Sequence, residues 1–261
     1  MIPKIIHYCW FGGNPMPKLA KKCIRSWKKY CKGYEIRQWN EQNYDLSTAP
    51  LYVRQAYEAK KWAFVTDYVR LQIVYEHGGI YMDTDVELRK PLDNLLVHKA
   101  YFGFENGEHI NTGLGFGAEK STPILKELMD DYSNIPFVFP DGALDATPCP
   151  VRNTEIFLRH DLRQDDSEQI LCGDILILPS IMLCPIDYYM RRKEGFEQSI
   201  SIHWFSASWY EEESRIAREA WLQSMRKDEL LHIPNKLLLR ILGSQRYEKL
   251  KRILKRNENS R

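Results

Sequence analysis

Short apolar and aromatic runs alternate with longer stretches of helical spacing along the first half of the chain. Lys4 to Phe11, Tyr34 to Trp39 and Ile80 to Glu87 are rich in β-branched and aromatic residues and read as strands. Lys18 to Tyr30 and Leu51 to His77 read as helical segments; in the second, Ala56, Ala59, Ala63, Phe64, Leu71, Val74 and Tyr75 recur at steps of three, four or their sums. Gly78-Gly79 follows and predicts a C-terminal cap, because glycine takes the left-handed conformation without steric cost. The alternation predicts an α/β domain with a largely parallel sheet. Beyond the glycine-rich stretch Gly113 to Gly117, Pro123 to Tyr132 reads as a helix, Asn134 to Arg152 as a long surface loop and Ile175 to Leu183 as a late strand.

Length and composition place this pattern in a folded chain. The 261 residues, 44% hydrophobic and 28% charged, suit one large domain, expected over 1–235, with a small appendage, and the formal charge of +2 gives no support to nucleic-acid binding. The appendage, 236–261, carries nine Lys/Arg against Glu248 and Glu258, with Leu and Ile interleaved. Two readings stand side by side: a basic amphipathic tail that lies on an anionic membrane surface, or a terminal helix packed on the domain with its cations in water. No stretch approaches the ~18 apolar residues of a spanning helix. Residues 1–8 lack a signal-peptide pattern, so the mature chain is expected to start at Met1. Six cysteines without a C-x-x-C pair suit reduced thiols and a cytoplasmic location.

Asp83-Thr84-Asp85, following Gly78-Gly79-Ile80-Tyr81-Met82, carries the candidate chemistry. If this segment is one strand, Tyr81, Asp83, Asp85 and Glu87 share a face, with the two aspartates roughly 7 Å apart. Neighbouring carboxylates repel, and a divalent cation relieves the repulsion through hard oxygen ligands; Mn²⁺ and Mg²⁺ both suit carboxylate and phosphate oxygens. Upstream, Asp67 and Arg70 stand three apart and share a helix face. Alone they would be a surface ion pair worth at most ~1 kcal/mol; the helix feeding into the aspartate segment brings them toward the same site.

Lys61 to Arg70 followed by Tyr75 to Asp85 resembles the DxD sugar-binding region of retaining glycosyltransferases, closest to the family 32 type of bacterial capsular-polysaccharide and yeast initiating mannosyltransferases, more distantly to the clostridial glucosylating toxins. Ile2 to Gly13 resembles that family's first strand, and Ile202-His203-Trp204 through Ser208-Trp209 a late segment. The resemblance covers residues 1 to 130 and, locally, 200 to 210. It implies a GT-A type, Rossmann-like fold with a C-terminal helical extension, binding a UDP- or GDP-hexose through Mn²⁺ or Mg²⁺. By the same resemblance, Trp10 stacks on the nucleotide base, Asp67 and Arg70 grip the donor sugar, and Tyr81 lies beside the nucleoside. Asp83 meets the ribose and the metal, Asp85 is the direct metal ligand, His203 completes the metal site, and Ser208 and Trp209 contact the phosphates as a closing loop.

The expected reaction is hexose transfer, with retention, to a hydroxyl of a glycan or lipid-linked glycan acceptor, at the inner face of the plasma membrane. Glu105 and Asp145 are the only candidates for a carboxylate beneath the anomeric carbon; with Asn111 they are also the candidate acceptor or sugar contacts. The resemblance equally allows a front-face route without a protein nucleophile. Competing readings are a Mg²⁺-dependent phosphatase-like hydrolase, which leaves Asp67, Arg70 and Trp10 without a task, a non-catalytic glycan- or membrane-binding module, and a toxin-like enzyme acting on protein.

Overall fold

The computed structural model describes residues 1–187, 193 and 195–206, all within one compact unit, Met1–Trp209. The expected boundary at 235/236, the basic segment 236–261, Ser208 and Trp209 lie outside the described residues.

The chain opens with strand β1 (Ile5–Cys9), helix α1 (Lys18–Tyr30) and strand β2 (Glu35–Trp39), a right-sized βαβ unit in which β1 and β2 pair in parallel. The helical segment after it is two helices: α2 (Leu51–Glu58) ends at Ala59, Lys60 takes a left-handed φ of 56°, and α3 (Trp62–His77) starts anew. Periodicity alone continued through this break because Ala59 and Ala63 keep the apolar spacing across it. Gly78, at φ 66°, ends α3 as expected.

Strand β3 (Gly79–Tyr81) pairs in parallel with β1, and β4 (Val86–Leu88) leaves the sheet. The rest of the fold comprises β5 (Ala100–Gly103), β6 (Phe116–Ala118), α4 (Pro123–Asp130), α5 (Cys149–Leu158), β7 (Gln169–Leu171), β8 (Ile175–Leu178), the single turn α6 (Ser180–Leu183) and β9 (Ser201–His203). Among the described residues, seven strands form one sheet in the order β2-β1-β3-β6-β5-β8-β7, and β4 and β9 form a separate antiparallel pair. The sheet is mixed: β1 with β2, β1 with β3 and β5 with β8 run parallel, while β6 runs antiparallel to both its neighbours and β7 to β8.

Alternation along the strands builds two cores. Tyr81, Phe102, Phe116 and Ile177 face α2 to α5, where Val65, Val69, Phe157 and Leu125 pack on them. Ile6, Tyr8, Ile80, Tyr101 and Leu176 face the other way, against Cys23 and Trp27 of α1 and Val86 and Leu88 of β4. The result is a three-layer α/β arrangement. The stretch expected as a surface loop is partly interior: Phe137 is fully buried, the amides of Phe137 and Val138 donate to Gln55 Oε1, and α5 begins at Cys149. Among the described residues no helix is long and apolar enough to cross a membrane.

Candidate active site

Asp83-Thr84-Asp85 is a turn and not a strand, which corrects the alternation drawn from the sequence. β3 ends at Tyr81, the Val86 amide folds back to Asp83 O at 3.0 Å, and the Asp83 amide donates to Gly113 O at 3.3 Å. The chain changes sheets here: β3 belongs to the central sheet, whereas β4 pairs with β9. Glu87 consequently does not join the aspartates. Its carboxylate accepts from Lys22 Nζ at 2.7 Å and the Trp204 indole at 2.9 Å.

The β4–β9 ladder sets Val86 opposite His203, and the Trp204 amide donates to Asp85 O at 3.1 Å. This places His203 Nε2 3.3 Å from Asp85 Oδ1. Asp85 Oδ2 accepts from the Ser206 amide at 2.8 Å and hydroxyl at 2.9 Å. Burial opposes ionisation of Asp85, but the His203 charge and the hydrogen bonds from His203 and Ser206 outweigh it and hold the carboxyl well below its usual range. Burial likewise works against a proton on His203, and Asp85 overcomes it, raising the imidazole well above its ordinary value.

Asp83 belongs to a second cluster as well. Arg70 and Asp67 form the expected i,i+3 pair at 3.0 Å, but it is buried instead of lying on the surface, with side chains 4% and 9% exposed. The same Arg70 nitrogen stands 3.4 Å from Asp83 Oδ1. Nε donates to Thr66 O, the same Nη2 also donates to Thr66 Oγ1, and Nη1 lies 3.9 Å from Cys149 Sγ. Tyr81 is buried, with its ring under the Arg70 guanidinium and its hydroxyl donating to Asp83 Oδ1 at 2.9 Å. Burial raises Asp67 to about 6 against the pull of Arg70, and raises Asp83 for the same reason, with Asp85 adding to the effect.

Asp83, Asp85 and His203 offer ligand atoms within 4.8 Å of one another. The donor set, two carboxylates and one imidazole, suits a Mn²⁺- or Mg²⁺-like ion. Two features agree. Asp67 and Asp83 share a single guanidinium, Arg70, while Asp85 pairs with His203. His203 Nδ1 is buried without a hydrogen-bond partner among the described residues, while Nε2 faces the aspartates.

The remaining candidates divide. Asn111 caps the short turn Thr112–Leu114: its Oδ1 accepts from the Gly113 amide at 2.6 Å and its Nδ2 donates to Glu105 at 2.5 Å. Gly113 is there because a Cβ would stand 3.0 Å from Asn111 Oδ1 and 3.1 Å from Arg70 Nη1 and would run into Asp83 Oδ2. Glu105 and Asn111 therefore flank the cluster. Asp145 is ion-paired with Arg152, which also holds Asp131. Trp10 is half-buried just beyond β1 with its indole donating to Asn14 O at 2.7 Å. Beside it a cleft opens between Gly12, Glu41, Tyr57 and Trp62. Sequence reasoning missed Ser206, Cys149 and Gly113; none carries a local signal, since each matters only through a partner far along the chain.

Residues 17–102 match the family described as the glycosyltransferase sugar-binding region containing DXD motif. An uncharacterized glycosyltransferase of Acanthamoeba polyphaga mimivirus is 27% identical over 179 residues, 65% of this chain and 60% of the relative. Inositol phosphoceramide mannosyltransferase 1 of Schizosaccharomyces pombe is 28% identical over 144 residues, 51% of this chain and 43% of the relative. The chain thus spans less than two thirds of either relative. Among solved structures, a glycosyltransferase involved in glycosylation of the major capsid of PBCV-1 aligns with TM-score 0.47 and 16% identity over 85% of this chain and all of that one. The PaToxG glycosyltransferase aligns with TM-score 0.47 and 18% identity, over 60% of this chain and 68% of that one.

Proposed function

We propose that the chain is a divalent-metal-dependent glycosyltransferase that moves a hexose from a nucleotide-diphosphate sugar to a hydroxyl of a glycan or lipid-linked glycan, with retention at the anomeric carbon. The observation that carries this reading is the sharing of Asp83 by two clusters, one with Asp85 and His203, the other with Arg70 and Asp67. A pyrophosphate needs the first and a sugar ring the second, and Asp83 joins them.

Asp85, Asp83 and His203 would hold the ion, whose chemistry when bound is neutralisation of charge on the departing diphosphate. Tyr81 and Arg70 fix the Asp83 carboxylate from below, and Ser206 fixes Asp85, so both oxygens are oriented before a donor arrives. Asp67 accepts from sugar hydroxyls, and its pairing with Arg70 sets the direction from which it does so. Both carboxylates considered as nucleophiles are engaged, Glu105 by Asn111 and Asp145 by Arg152. That engagement supports the front-face route, in which the leaving phosphate takes the acceptor proton.

The fission-yeast relative named as a mannosyltransferase makes a mannosyl donor the first to try. The test is a panel of UDP- and GDP-sugars with Mn²⁺ or Mg²⁺, reading donor turnover, the anomeric configuration of the product by NMR, and metal-dependent thermal stabilisation. Asp85→Ala is expected to abolish turnover and stabilisation together. Phosphate release from simple monoesters without sugar transfer would overturn the assignment in favour of a hydrolase. The basic segment 236–261 is the proposed contact with a membrane surface, and its deletion is expected to release the chain from vesicles containing phosphatidylserine.

A further inference from the structure

Away from the aspartate cluster, three elements bring a thiol, an imidazole and a carboxylate into line. Cys172 sits in the turn between β7 and β8, His160 follows α5, and Glu127 lies on α4. Cys172 Sγ is 3.3 Å from His160 Nδ1, and His160 Nε2 is 2.8 Å from Glu127 Oε2. Of the six cysteines, five are buried and Cys172 is exposed. It also holds a left-handed φ of 50°, next to Gly173 at 84°, in a region a side chain bearing Cβ rarely adopts.

The hydrogen-bond pattern has a direction. Glu127 is acceptor-only when ionised, so it accepts a hydrogen bond from the Nε2–H and fixes the tautomer in which Nδ1 carries a lone pair. That lone pair faces the thiol. Nucleophile, base and orienting carboxylate are thus in the order that activates a thiol by proton removal. Desolvation, with Glu127 and Asp161 nearby, raises the thiol above its ordinary range, which disfavours a free thiolate.

We propose that Cys172, His160 and Glu127 form a covalent modification site at which Cys172 exchanges with low-molecular-weight disulfides. As Sγ attacks one sulfur of the disulfide, His160 Nδ1 takes the thiol proton. The new S–S bond forms, the old one breaks, and the departing thiolate takes the proton from His160. Cys172 is oxidised to a mixed disulfide and one half of the reagent is reduced to a thiol, with no other oxidant needed. The site is separate from the aspartate cluster, and its chemistry does not depend on the proposed transfer reaction.

The test uses the full, native chain and dithiobis(nitrobenzoate), an aromatic disulfide whose released thiolate is coloured. One fast equivalent per chain is expected, located on Cys172 by peptide mass spectrometry and absent in Cys172→Ser. His160→Gln is expected to slow that phase roughly tenfold or more, the lower end of what a positioned base contributes. Glu127→Gln, on a partly exposed helix position, should slow it by a smaller factor. Wild-type rates in both variants, or a fast equivalent on another cysteine, would overturn the proposal. If His160→Gln does not fold, an unchanged rate in Glu127→Gln is sufficient to overturn it.

Discussion

His7 is a fully buried imidazole in the middle of β1, and its bonding pattern makes a quantitative prediction about stability against pH. Its Nδ1 accepts the Trp39 indole proton at 3.1 Å and its Nε2 donates to Gly78 O at 2.9 Å. The neutral ring is therefore satisfied on both sides, and a second proton would set an N–H against the Trp39 N–H. Burial is the main cause that lowers the pKa from 6.5 to about 4, His77 and Arg37 add to it, and the Gly78 carbonyl and Glu35 oppose it. The sign follows directly. Between pH 6.5 and about 4 the unfolded chain carries a proton on His7 that the folded chain refuses, so stability is complete above the unfolded value and falls as pH drops through this window.

The full difference corresponds to about 3 kcal/mol, of which about 2 kcal/mol is lost between about pH 7 and about pH 5. Asp67, raised to about 6, titrates in the same range with the opposite sign, favouring folding as it takes up a proton. Comparison with a variant isolates the histidine. Urea unfolding of the parent and His7→Gln across this range should give free-energy curves that converge by about 2 kcal/mol on acidification, on top of a pH-independent offset for the altered hydrogen bonds. Trp39→Phe, which frees the Nδ1 lone pair, should shrink the parent's acid loss. Parallel curves for parent and His7→Gln would refute the buried neutral imidazole.

Three further outcomes concern the site and its supports. Gly113→Ala inserts a methyl against Asp83 Oδ2 without demanding an unusual backbone; it is expected to weaken Mn²⁺ affinity by calorimetry and donor turnover together, by about 10²-fold, with little change in thermal midpoint. Arg70→Met strands Asp67 and Asp83 without their cation and should cost about 3–5 kcal/mol in denaturant unfolding, part of which Asp67→Asn in the same chain should restore. Trp27, fully buried in α1, donates its indole proton to Val86 O at 2.7 Å; Trp27→Phe should cost about 2 kcal/mol by the same measurement, and a neutral result would mean that α1 does not brace β4.

Local features were legible in the sequence, and long-range ones were not. α1 matches its expected span residue for residue, and the glycine cap after α3 follows from two adjacent residues. The i,i+3 placement of Asp67 and Arg70 was legible too, since it needs only the helix; their burial depends on Tyr81, Asn111 and Cys149 arriving from elsewhere. The DxD segment misled because an apolar-to-acidic alternation looks like a strand, while its turn is imposed by Gly113 O from one direction and by the β4–β9 ladder from another. Met82 and Val86, on either side of the turn, are buried in the same core. The break at Lys60 left no gap in the apolar spacing and so no trace in the pattern. α5 was hidden behind Pro148-Cys149-Pro150, which reads as loop although Pro within the first turn of a helix is well tolerated.

The turn geometry brings the aspartates together in a way that a strand would not. A continuous strand would hold the two carboxylates two rises apart, pointing along one face of the sheet and set by its hydrogen bonds. At the turn, each carboxylate is instead held by a different part of the chain: Asp83 by Tyr81 and Arg70, Asp85 by Ser206 and His203. β1 and β3 are parallel neighbours in the register His7 to Tyr81, so the residues that follow them, Trp10 and Asp83, emerge at the same end of the sheet. Ligands of open α/β sheets bind outside the carboxyl ends of such strands, where neighbouring connections diverge. Here the divergence is double, because β6 pairs antiparallel to β3 and the chain itself departs for β4. Lengthening the Met82–Asp85 turn by one residue should therefore leave the β3 pairing intact while separating Asp83 from Asp85 and His203, so that amide exchange protection in β3 persists as metal-dependent stabilisation is lost. Loss of both together would mean that the turn and the strand are one cooperative unit, and that the aspartates owe their placement to the sheet.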